Sequence, residues 1–130
     1  MRGSGWTADD FFEGLFTTAL EEGEIITAVK FPVPEAANYQ KFEQPASRFA
    51  LVGVFVAKTG GGVRVAVTGA SEDGVFRWSD AEAALAGDFS AGALEGMAPS
   101  ADGMIGDLHG SPEYRAHLVG VMARRAVAAC

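Results

Sequence analysis

Two apolar runs, residues 49–58 (FALVGVFVAK) and 63–68 (VRVAVT), are separated by four residues that include Gly60-Gly61-Gly62. So short a connection has no room for a crossover, and the two runs must pair antiparallel as the arms of a hairpin. The first run is apolar at nearly every position, which marks a strand covered on both faces or one at the centre of a sheet. The second alternates Val63, Val65 and Val67 with Arg64, Ala66 and Thr68, which marks one buried face. A parallel, doubly wound sheet needs a helix between successive strands and is excluded here.

Three further segments read as strands. Residues 25–33 (IITAVKFPV) are rich in β-branched side chains and bounded by Glu21-Glu22-Gly23 and Pro34. Pro32 cannot donate to a ladder, so that strand ends near Phe31 or lies on an edge. Residues 38–44 (NYQKFEQ) alternate weakly before Pro45, and residues 75–78 follow the turn Ser71-Glu72-Asp73-Gly74.

The period then changes. Ser79-Asp80-Ala81-Glu82 has the form of a capping box, followed by helix formers up to Gly87. Ser90 opens a second Ala-rich helical stretch that fades at Gly96, and residues 100–110 have loop composition with three glycines. Ser111 caps a long helix with Pro112 at its first position, and its apolar stripe is Tyr114, Leu118, Val121, Met122, Ala126 and Val127. Near the N-terminus Thr7 caps a turn or two of helix carrying Asp9 and Asp10, limited by Gly14. Five strands followed by helices define an α+β domain, an antiparallel β-sheet packed against C-terminal helices. Residues 1–5 are expected to be a linker or vector remnant and residues 6–130 the domain.

At 130 residues and 48% hydrophobic the chain is large enough for one ordinary core. Its 10 Lys and Arg against 17 Asp and Glu give a net charge of −7, which argues against nucleic acid and anionic membrane surfaces as partners. No apolar run is long enough for a membrane span. The single cysteine is Cys130, which excludes an intrachain disulfide and fits a reducing, cytoplasmic location.

No residue set suggests catalysis or metal binding by this chain alone. The pairs Asp9/Asp10, Glu21/Glu22 and Glu72/Asp73 are adjacent in turns, whereas general acid and base groups must converge across a pocket. His109 and His117 lack a third ligand nearby. The triple glycine lacks the Lys and Ser/Thr of a phosphate loop and opens no helix. Arg124-Arg125 suits the C-terminal end of a helix.

An ordered set of segments carries more. These are DFFEGLFTTAL (10–20) with GEII (23–26), YQKF (39–42) with PASRFALVGV (45–54), the strand 65–69, and GSPEYR (110–115) with Arg124-Arg125-Ala126. Together they resemble the C-terminal domain of the flavoprotein, or medium, subunit of carbon monoxide dehydrogenase and its molybdenum-hydroxylase relatives, including xanthine dehydrogenases.

The resemblance implies an α+β domain that follows an FAD-binding N-terminal domain, with an iron–sulfur small subunit and a molybdopterin large subunit as partners in an oxidoreductase complex. It further implies that Leu15 and Phe16, in Gly14-Leu15-Phe16-Thr17, reach toward the flavin ring, and that Lys41 brings a cation near it. Read from the residues alone, Phe16 is equally a core side chain, Lys41 an exposed strand residue, and Arg48 either pins a loop or meets a partner. The glycine-rich loops that hold the FAD pyrophosphate are not in this sequence, so FAD is expected in the intact subunit and not on this chain alone. Two functions follow: a wall that helps close the FAD site, or a module for subunit contact only. Either leaves apolar surface that favours self-association when the chain is isolated.

Overall fold

A computed structural model describes residues 5–130; the reading of the first four residues as linker lies outside the described residues. In chain order the elements are helix α1 (Ala8–Phe11), strands β1 (Phe12–Gly14), β2 (Thr17–Thr18), β3 (Ala36–Glu43), β4 (Ala50–Thr59), β5 (Gly62–Ser71) and β6 (Gly74–Arg77), helix α2 (Ser79–Gly87), a 3-10 turn (Ala91–Leu94) and helix α3 (Pro112–Ala128). β3 to β6 form an antiparallel sheet in sequence order, and β1 and β2 form a separate small hairpin. This is the α+β arrangement that the strand and cap pattern predicts.

The glycine-triplet hairpin is the centre of the sheet. Val54 opposes Val67 and Val56 opposes Val65, and all four are fully buried. With Val52 they form the inner face, against which α3 lays Leu118, Val119, Met122 and Ala126, and α2 lays Ala81 and Leu85. Burying a valine side chain contributes roughly 1.5–3 kcal/mol, so this inner face is the main source of stability. β4 reads as continuously apolar because it is flanked on both sides, and its outward positions are Gly53, Phe55 and Ala57. The opposite face of the sheet is open, presenting Tyr39, Lys41 and Phe55 to solvent, as an antiparallel sheet permits.

Four local expectations are corrected. Residues 25–33 belong to no strand, and none from 25 to 34 makes a hydrogen bond among the described residues. The β-branched pattern is present, but these residues have no neighbouring strand within the chain. The capping box does not form, since Ser79 is already inside α2 and Trp78 occupies the cap position without a side-chain bond. The Glu82 carboxylate is taken instead by Arg77 and by the Val65 N–H. Ser90 does cap, accepting from the Ala93 N–H, but what it opens is one 3-10 turn rather than an α-helix. On α3, Ser111 caps with Pro112 in the first turn as the sequence predicts. Its stripe differs at Tyr114, which is exposed, and at Arg115, which is buried.

Candidate functional site

Leu15 and Phe16 form the tip of the β1–β2 hairpin, where Gly14 pairs with Thr17 and Phe12 with Thr18. Phe16 has φ +63°, the left-handed region that a bulky side chain avoids at a cost of about 1–2 kcal/mol. Its side chain is 98% exposed, so it is not a core residue. The hairpin base is held from two sides. At Gly74 (φ +95°) a Cβ would sit 3.4 Å from the Gly14 carbonyl oxygen, so the β5–β6 turn and the hairpin lie within van der Waals reach of each other. Below it, Arg77 Nη1 donates to Asp9 Oδ2 at 2.6 Å, tying α1 to β6. The result is an aromatic residue displayed on a short, anchored loop.

Arg77 is the junction of this region. Its Nη2 donates to Glu82 Oε2 at 2.6 Å and its Nε to Oε1 at 3.0 Å, while the Val65 N–H donates to the same Oε1 at 3.0 Å. Burial alone would raise the Glu82 pKa, but the Arg77 guanidinium and the Val65 N–H outweigh it and hold the carboxyl below its usual range. Facing two carboxylates, Arg77 is held cationic more firmly than a free arginine.

Lys41 lies on β3, opposite Gly53 of β4. Its Nζ donates to the Arg48 carbonyl oxygen at 3.2 Å and sits 3.4 Å from Glu43 Oε1, with the side chain 36% exposed. Arg48 has φ +58° in the turn between β3 and β4, so this lysine closes a strained turn as well as presenting charge. β3 is one edge of the sheet and β6, which the hairpin contacts, is the other. Three strand spacings, about 14 Å, separate those edges, and the structure does not bring Leu15 and Phe16 together with Lys41 in one pocket.

An open hollow bounded by Trp6, Glu13, Thr18, Leu20, Glu21 and Glu24 adjoins the hairpin without reaching Lys41. Among the described residues no group of three His, Cys, Asp or Glu is placed to hold a metal ion, and no helix is long and apolar enough to cross a membrane.

From the sequence Arg115 enters only within the segment GSPEYR, with no role of its own, and Arg77 and Glu82 are not paired. Arg115 had a signal: it precedes Leu118, Val119 and Met122 by three, four and seven residues, which puts it on the buried stripe of α3. Arg77–Glu82 had none, because it spans a strand end and a helix whose geometry is tertiary.

No family model matches the chain. The carbon monoxide dehydrogenase medium chain of Afipia carboxidovorans is 30% identical over 136 residues, covering 92% of this chain and 46% of that protein. The nicotine 6-hydroxylase medium subunit of Paenarthrobacter nicotinovorans is 36% identical over 131 residues, with the same coverage. Among solved structures, reconstituted CO dehydrogenase from Oligotropha carboxidovorans matches with a TM-score of 0.69 at 28% identity, covering 92% of this chain and 46% of that one. Quinoline 2-oxidoreductase from Pseudomonas putida 86 matches with a TM-score of 0.66 at 25% identity, covering 92% and 45%. The chain thus spans less than half the length of these relatives. By sequence and by fold the chain is a homologue of the medium subunits of carbon monoxide dehydrogenase-type oxidoreductases, corresponding to their C-terminal part.

Proposed function

We propose that this chain is the C-terminal portion of an FAD-carrying medium subunit of a molybdenum hydroxylase, where it helps close the FAD site and contacts neighbouring subunits during electron transfer. The observation that supports this best is Phe16, a fully displayed aromatic held in a costly backbone conformation on an anchored hairpin. An aromatic placed outward at that cost suits a surface that meets something apolar and planar. Leu15 and Phe16 would cover a ring edge and exclude water, and Lys41 would hold positive charge on the far side of the sheet.

The residues fit a wall and not a complete holder for the cofactor. Dinucleotides are gripped by backbone N–H groups at a glycine-rich loop that opens a helix, whereas Gly60-Gly61-Gly62 opens β5. Bound FAD supplies the redox chemistry, and its pyrophosphate donors belong to the FAD-binding N-terminal domain. Molybdopterin and the iron–sulfur clusters belong to the large and small subunits.

The alternative is a purely structural module. The separation of Lys41 from Phe16, and the capture of Lys41 by Arg48 and Glu43, favour it for Lys41. Reconstituting the chain with the missing FAD-binding half and scoring the yellow protein separates the two. Loss of FAD affinity or a shifted potential in Phe16→Ala supports the wall, and unchanged values in both Phe16→Ala and Lys41→Ala establish the structural role.

A further inference from the structure

Ten of the sixteen large hydrophobic residues that are exposed among the described residues precede residue 34. The apolar surface of this chain is therefore concentrated in the arm that leads into β3. Within that arm Ile25 (80% exposed), Val29 (63%), Phe31 (83%) and Val33 (92%) share one parity, so a strand here would carry them on one face. The backbone is as unpartnered as the side chains. Hydrogen bonds bracket the segment, from the Glu24 N–H to the Glu21 carbonyl and from the Glu35 N–H to the Lys58 carbonyl, but none falls between them. The β-prone residues 25–33 thus have the sequence pattern of a half-buried strand and no sheet.

Resting on the reading above, we propose that residues 25–31 form an added β-strand on a sheet edge of the preceding portion of the medium subunit, with Ile25, Val29 and Phe31 on its buried face. The curated relatives are about twice as long as this chain, which matches their C-terminal part, so the remaining polypeptide precedes this arm. Strand addition supplies main-chain hydrogen bonds for affinity and alternate side-chain pockets for register. Pro32 and Pro34, which cannot donate, end the pairing before β3 begins. A second copy of this chain is a poorer occupant. Pairing two such arms gives a two-stranded ribbon with nothing to cover its apolar face, and such ribbons are marginal in water.

The full chain would be mixed with the preceding portion of the Afipia carboxidovorans medium chain and followed by residue-resolved amide hydrogen exchange. An edge strand bonds one neighbour through every second residue, so one parity of N–H groups between 25 and 31 should exchange at least tenfold more slowly in the complex. Ala28→Pro and Val29→Pro should then differ at least tenfold in their effect on binding, because only one removes a bonded N–H. Neither alters a hydrogen bond within the chain itself. A yellow complex with no alternating protection overturns the strand and leaves the subunit reading standing. Failure to form any complex overturns both. Alternating protection that appears in the chain alone and grows with its concentration assigns the strand to a second copy and overturns the occupant named here.

Discussion

Arg115 donates from Nη2 to both carboxylate oxygens of Asp107, at 3.0 and 2.9 Å, and from Nη1 to the carbonyl oxygens of Leu51 and Gly69, at 2.8 and 3.0 Å. One guanidinium thereby joins α3, β4, a bulge in β5 and the loop before α3. The bulge makes the bond to Gly69 available: Gly69 has φ +76°, and a Cβ there would meet the Ala50 carbonyl oxygen at 2.6 Å. Only 3% of Arg115 is exposed and its bond to the Leu51 carbonyl is buried, so that carbonyl is left without a donor if the arginine is removed. Arg115→Met is expected to lower unfolding stability by about 1–3 kcal/mol, the cost of a buried acceptor left unpaired. Asp107→Asn should cost less, since Asp107 is on the solvent side and both backbone carbonyls keep their donor. Urea unfolding midpoints of the two variants check the order.

Three carboxyls are held below their ordinary range, and one of them is Glu113, lowered by its own N–H and then by the Ser111 hydroxyl at the start of α3. Asp107 is lowered by the His109 N–H and then by Arg115, and Glu82 by Arg77 and the Val65 N–H against its own burial. A carboxylate that is easier to ionise in the folded chain contributes stability above the unfolded pKa, about 4–4.5, and that contribution is lost as pH falls through the folded value. Melting temperature should therefore be nearly level from pH 7 to about 5 and fall below about 4. Glu82→Gln should melt lower at pH 7 and show a shallower acid limb, because the substituted side chain no longer titrates. Circular-dichroism melts across that range test both; an equally steep limb in the variant would remove Glu82 from the account.

Gly120 sits inside α3, where an alanine is ordinarily favoured by about 1 kcal/mol. Here a Cβ would run into the Met97 carbonyl oxygen, a backbone atom that cannot swing aside. Gly120→Ala should therefore reverse the usual sign and destabilise the chain by about 1–3 kcal/mol. Gly87→Ala, at the end of α2 with open space around it, is the matched control and should not show such a loss. Guanidinium unfolding of the two variants side by side reads the difference.

The sheet and α3 were legible because their signals are local. Gly60-Gly61-Gly62 between two apolar runs admits one topology, and Ser111-Pro112 starts a helix with little help from tertiary contacts. The Ser79 cap failed because Glu82 found stronger partners in Arg77 and the Val65 N–H, neither of which a local pattern reveals. The strand expected at residues 25–33 failed for another reason. The pattern is that of a strand, but a strand also needs a neighbour, and this chain gives it none. At the candidate site the residues could be named from resemblance, while their separation could not. That Leu15 and Phe16 stand at one edge and Lys41 at the other follows from the sheet order and from the contact between the hairpin and β6.

Phe16 allows stability and function to be separated by experiment. Its side chain packs against nothing in this chain, and its backbone occupies a region that glycine enters without penalty. Phe16→Gly should therefore leave the isolated chain as stable as before, or more stable by about 1 kcal/mol. Phe42 is a contrast: it is partly buried against the core and edge-on to Tyr114 at 6.4 Å, and Phe42→Ala should cost about 3 kcal/mol. In the reconstituted subunit the Phe16 outcome should change character. If that side chain covers the flavin, Phe16→Gly will retain less FAD at equal protein concentration despite its intact fold. Thermal unfolding of the chain and the 450 nm absorbance of the reconstituted subunit must then move independently. Equal FAD retention in Phe16→Gly and the unaltered chain would remove Phe16 from the site.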